Sequence, residues 1–210
     1  MPKRQHFTTK HKDWELVFNL PFNYPSLVET VNNVSPIVQN QTSGTEGGVT
    51  YTKLTAIRYN SGTHTALHYD MNGTDYVQKM NNANEWKLHV ELYWQTYASN
   101  GMYAYPFFLG NYPSSTNVWD ANVLSCCTET YLTTNGNWVQ RNVWTSVECY
   151  VNFTDNIIQI SNDKNSNVTQ FANSFTKAAN RLRYIGCFSK QWSSGGTYTG
   201  FVRNFQIYVR

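Results

Sequence analysis

The sequence predicts an all-β fold, a two-sheet antiparallel sandwich of jelly-roll type. The first observation is alternation. From Trp86 to Trp94 the apolar residues Trp86, Leu88, Val90, Leu92 and Trp94 hold one phase, while Lys87, His89, Glu91 and Tyr93 hold the other. A period of two belongs to a strand with one face in the core. The second is segment length: apolar runs are short, rich in aromatic and β-branched residues, and bounded by Asn, Asp, Gly or Ser. The third is the absence of long amphipathic helices; only Gln170 to Asn180 offers a helical turn or two.

Taken in order, the first strand is Trp14 to Leu20, with Trp14, Leu16, Phe18 and Leu20 on one face, ended by Pro21 and Pro25. Thr30 to Gly48 has the Asn, Gln, Ser and Gly content of a surface loop. Val49 to Ile57 and His64 to Tyr69 read as strands around the turn Asn60-Ser61-Gly62. Trp86 to Tyr97 follows, its polar face laden with aromatics as a binding face would be. Tyr103 to Leu109, Val123 to Leu132 and Trp138 to Arg141 bring the total to about a dozen. Trp86, Leu88, Val90, Leu92, Val147, Cys149, Val151, Phe205 and Ile207 are expected between the sheets.

The last third carries the most information. Trp144 to Phe153 leads through a polar turn into Ile157-Ile158-Gln159-Ile160. Leu182-Arg183-Tyr184-Ile185-Gly186 and Gly200 to Val209 close the chain. A Trp-initiated strand, a hairpin, a strand ending Ile-Gly and a Gly-led closing strand resemble the end of laminin-G-like domains of the concanavalin A-like superfamily. Leu16 to Phe22 and Asp70 to Val77 resemble its early segments. The resemblance spans residues 14–210 and implies a domain that binds surfaces, mostly sugars and proteins. Residues 1–13 stand apart as a basic arm.

Composition limits the rest. The 210 residues fit one sandwich, and 14% charged residues against 16% aromatic ones imply a neutral, hydrogen-bonding surface. A net charge of +3 gives no case for a nucleic-acid partner. No stretch approaches the ~20 apolar residues of a membrane-spanning helix. Residues 1–13 lack the apolar core of a signal peptide. Five Asn-x-Ser/Thr sites occur at Asn33, Asn40, Asn72, Asn152 and Asn167; this composition gives roughly 4.5 by chance, so they carry no weight. Cys126, Cys127, Cys149 and Cys187 are too few for a disulfide framework. Adjacent Cys126 and Cys127 point to opposite faces of a strand, and Cys149 falls in the apolar phase.

Catalytic motifs are sparse. Glycosidases need two carboxyl groups at defined separation, and those of this superfamily commonly place both on one strand. Glu91, Glu129 and Glu148 each stand as the lone acid of their strand, so no enzyme is expected. His64 and His68 lie about 13 Å apart on a strand, too far for one ion. Calcium needs six to eight oxygens. Asp70, Asp75, Asp120 and Asp155 sit in predicted loops without a tight Asp-x-Asp or Asp-x-Asn pattern, so no cofactor is assigned. The sugar-site candidates are loop aromatics with polar neighbours, Trp119 with Asp120 and Trp192 with Tyr198: rings stack on a pyranose face while polar groups bond hydroxyls.

The expectation is a non-enzymatic recognition or structural domain. Lys3, Arg4, Lys10 and Lys12, with Phe7 as apolar anchor, suit an arm docking on a neighbouring subunit. With the neutral surface and no leader, this points to a virion or other extracellular particle surface, as a decoration or fibre protein that also holds glycans. A free-standing lectin-like module is the alternative, and a jelly-roll glycosidase the outsider.

Overall fold

A computed structural model describes residues 13–21, 26–38, 41–56, 58–59, 63–96, 103–110, 124–125, 142–163, 168–172, 177–178, 182–191 and 198–210. Among these residues the strands are β1 (Glu15–Leu20), β2 (Ile37–Val38), β3 (Gln41–Glu46), β4 (Val49–Ala56), β5 (Arg58–Tyr59), β6 (Thr63–Asp70) and β7 (Glu85–Thr96). They continue with β8 (Tyr103–Gly110), β9 (Leu124–Ser125), β10 (Trp144–Asn152), β11 (Ile157–Asn162), β12 (Val168–Ala172), β13 (Tyr184–Gln191) and β14 (Tyr198–Val209). A helix, α1 (Tyr76–Asn82), joins β6 to β7.

The larger sheet runs β12-β11-β10-β7-β14-β4-β3, with β1 also on β14; the smaller runs β2-β6-β13-β8-β9, with β5 on β6. All pairings are antiparallel. This is the two-sheet sandwich the alternation predicts. All nine residues expected between the sheets are buried. In β7 the phase holds for nine residues, Trp86 to Trp94, because β10 and β14 flank it on both edges and its apolar face lies in the main core.

Four local readings are corrected. In β1 the buried residues are Val17, Phe18 and Leu20, while Trp14 and Leu16 are only half-buried. A register shift against β14 between Leu16 and Phe18 reverses the phase, as a bulge does. Residues 30–48 are not all loop, since β2 and β3 lie there; a polar strand at a sheet edge shows no apolar alternation. Gln170 to Ala172 belong to β12, and the rest of 170–180 lies outside the described residues apart from 177–178. A helix the pattern did not mark lies at Tyr76–Asn82, where Tyr76 and Met80, four apart, bury one face. Finally, β4 and β6 lie in different sheets; it is β5 that pairs with β6 around 60–62. Val123 to Leu132 is described only as β9, and Trp138 to Arg141 lies outside the described residues.

Candidate functional site

The outer face of the larger sheet carries a second apolar cluster. Strand register aligns Trp144 of β10, Tyr93 of β7 and Phe201 of β14 in one row across the sheet. Tyr51 of β4 completes it, with ring centroids 5.2 Å from both Trp144 and Phe201. Tyr93 lies 5.5 Å from Trp144 and 5.6 Å from Phe201. Tyr51, Tyr93 and Phe201 are buried, although they point away from the main core, and Trp144 stays half-buried. The indole is therefore the accessible ring of the group.

A charged row borders this cluster. Arg203 pairs with Glu91 in the β14–β7 register, and Gln206 with His89; two β14 residues therefore stand opposite one on β7. The extra residue makes a bulge in which Asn204 takes φ 50°, a left-handed conformation that Asn tolerates. The bulge turns consecutive side chains towards one acceptor. Arg203 Nε donates to Glu91 Oε2 at 2.5 Å and Asn204 Nδ2 to Glu91 Oε1 at 2.8 Å. The Arg203 guanidinium also lies 4.0 Å from the Trp144 centroid and reaches the Tyr51 hydroxyl at 3.4 Å.

His89 stands between two carboxylates, 3.8 Å from Glu91 and 3.7 Å from Glu148. Burial opposes its charge, but the contacts with Glu148 and Glu91 prevail and carry its pKa up to about 9. Glu91 is held down at about 2, chiefly by His89 against the effect of burial, with Asn204 and Arg203 adding. The row is thus alternately charged at neutral pH, with Glu91, His89, Glu148 and Arg203 each 21–31% exposed. A half-exposed indole beside fixed donors and acceptors suits a ligand with one apolar face and several hydroxyls.

Of the residues singled out in the sequence, Trp119, Asp120, Trp192 and Glu129 lie outside those described, as do Cys126 and Cys127. Tyr198 opens β14 opposite Ala56, three residues before Phe201, so its strand leads into the aromatic row. Glu91 and Glu148, on neighbouring strands, are brought together by His89. His68 is buried in the smaller sheet with its pKa lowered to about 4, mainly by burial against the pull of Asp70. Asp70 takes a two-pronged contact from Arg183 at 2.7 and 2.6 Å and caps its own turn through Asn72. Asp155 bonds Asn152, and Asp75 precedes α1. Among the described residues no three His, Cys, Asp or Glu side chains group as metal ligands. Cys149 and Cys187 are buried free thiols.

Sequence reasoning marked the aromatic outer phase of β7 but not Tyr51, Trp144, Phe201, Arg203 or Asn204. Their shared row depends on which strands are neighbours, and that is set by pairings more than fifty residues apart in sequence.

No family model and no curated protein matches the chain. Solved structures do. The binding domain of botulinum neurotoxin DC in complex with SialylT aligns with TM-score 0.57 and 13% identity, over 92% of this chain and 47% of that one. The same binding domain with rat synaptotagmin II gives 0.57 and 14%, over 92% and 48%. Domain 4 of AbnA, an arabinanase from Geobacillus stearothermophilus in complex with arabinotriose, gives 0.52 and 11%, over 93% of both chains. The chain spans about half the length of the toxin domains. These likenesses establish the fold class, a jelly-roll β-sandwich that also occurs in binding domains.

Proposed function

We propose that the chain is a non-enzymatic recognition domain of the concanavalin A-like, laminin-G-like kind. It holds glycan at the Trp144 end of the larger sheet's outer face. The observation that carries this is the half-exposed Trp144 ring with Arg203, Glu91 and His89 fixed beside it. Tyr198, which opens β14, and the sequence candidates Trp192, Trp119 and Asp120 are further candidates for ligand contact. The sugar or protein complexes named for structures of this fold support the reading. We place the domain in a larger assembly, as a decoration or fibre component on a virion or other particle surface, with the basic arm docking on a neighbouring subunit. A free-standing lectin-like module is the alternative. A glycan array with wild type and Trp144→Ala tests the binding. Retained binding in the variant sinks the site, and no glycan bound by wild type sinks the reading.

One observation favours a second reading. Glu91 and Glu148 meet through His89 on one open face, the kind of pair a glycosidase requires. Such a pair needs one carboxyl raised to act as acid, whereas Glu91 is held at about 2 with both oxygens bonded. Reducing ends released from a β-glucan or xylan, and lost in Glu148→Gln, would establish the enzyme instead.

A further inference from the structure

The larger sheet ends at β3, and no described strand lies beyond it. Its outer edge carries a row of backbone donors and acceptors, the template for adding another strand. Natural edges are usually blunted with lysine, proline, a bulge or shortness. Strand β3 has none of these defences. It runs six residues, Gln41-Thr42-Ser43-Gly44-Thr45-Glu46, without a register shift against β4.

The strand is also pre-shaped. Gly47 and Gly48, with φ 56° and 78°, form the two-residue turn that fixes the β3–β4 register. Gly44 lies flat on the Phe201 ring. The single charge of the edge, Glu46, is half-buried and lies near the Tyr93 hydroxyl. What remains along the edge is Ser43, Thr42 and Thr45, exposed and uncharged.

We propose that β3 pairs antiparallel with β3 of a second copy of this chain, about a two-fold axis perpendicular to the sheet. Opposed residues of an antiparallel ladder must both aim their backbone groups across it or both away. A two-fold therefore pairs odd with odd and even with even. Two registers then overlap five residues: Ser43 facing Ser43 of the other copy, or Gly44 facing Gly44. The first sets Glu46 opposite Asn40, and the second sets it opposite Thr42. Neither opposes like charges, and each matches hydroxyl-bearing or small residues. That self-complementarity selects a second copy as occupant. The two larger sheets become one continuous sheet with both outer faces on the same side. The inference is independent of the ligand reading.

Sedimentation velocity on the full chain, from low micromolar to about 0.5 mM, tests it across the range where standard interfaces assemble. The expected result is a species of twice the 24.2 kDa chain mass. Ser43→Lys with Thr45→Lys opposes lysines in either register and should give a monomer with unchanged far-UV circular dichroism. Amide exchange over 41–46 should slow with concentration in wild type only. A monomer throughout the range overturns the proposal, and so does a dimer that survives the double lysine variant. A dimer broken instead by Gln170→Lys in β12 overturns it in favour of the opposite edge. Glycan binding kept by the monomeric variant leaves the two readings separable.

Discussion

Arg203 lies 4.0 Å over the Trp144 ring while its Nε bonds Glu91 at 2.5 Å, so one side chain ties the aromatic row to the charged row. Its planar guanidinium does both at once, which a lysine ammonium does not. Arg203→Ala should cost about 1 kcal/mol of stability, since the pair is partly solvated. It should also red-shift the Trp144 emission. Arg203→Lys should keep most of the stability and lose most of the ligand affinity. Urea melts and glycan titrations of the two variants check this. Equal affinity in wild type and lysine variant would show that the stack is not used.

The pH profile follows from three groups. His89 is raised to about 9 in the folded state, so its contribution is complete below pH 6.5 and fades as pH rises towards 9. His68 is lowered to about 4, so its contribution is complete above 6.5 and fades as pH falls towards 4. Glu91, lowered to about 2, adds a loss below about 4.5. Stability should therefore peak near pH 6.5. His89→Gln should flatten the alkaline limb and also shrink the loss below about 4.5, since His89 chiefly holds Glu91 down, whereas His68→Phe should flatten the upper part of the acid limb alone. Melting temperatures from pH 3 to 10 check both; a peak above pH 9 in wild type contradicts the assignment of His89.

Gly44→Ala should destabilise the protein. A Cβ there would lie 2.9 Å from Phe201 Cε1, and that ring is fully buried between Tyr51 and Tyr93. The entropic gain from replacing glycine is about 0.4–1 kcal/mol. Overpacking costs about 1–3 kcal/mol, so the net effect is a loss. Double substitution with Phe201→Leu should recover most of it. Denaturant melts of the three variants decide the point.

Removing residues 1–12 should leave the melting temperature nearly unchanged, because the segment carries one apolar anchor, Phe7, against an ordering cost of roughly 1–2 kcal/mol per residue. In an assembly the same deletion should abolish incorporation. Calorimetry and a reconstitution assay report the two effects separately. A truncated chain that assembles normally removes the arm from the proposal.

Legibility followed burial. Strands with one face in the core, such as β7 and β10, announce themselves because every second residue is apolar. The edge strand β3 is silent, since no part of it enters the main core. Trp14 misleads for another reason. Its large ring reads as core, yet it lies on the outer face with Lys87 at 4.0 Å and Arg210 at 5.0 Å. Helix α1 is hidden by length, as seven residues offer only the pair Tyr76 and Met80 as periodicity. The outer-face site is half legible: Glu91, His89 and Tyr93 share a phase in one strand, but Arg203 joins them through a bulge that no two-residue period contains.

Strand β14 sits inside the larger sheet, paired with β7, β4 and β1 along its length. Those partners precede it by more than a hundred residues, so much of the contact map closes late and over long loops. During synthesis, β1, β4 and β7 leave the ribosome with their central neighbour still unmade. They must wait, with edges and apolar faces exposed, until residue 209 emerges. Folding is then slow, as high contact order dictates, and the nascent chain is a natural client for holding chaperones.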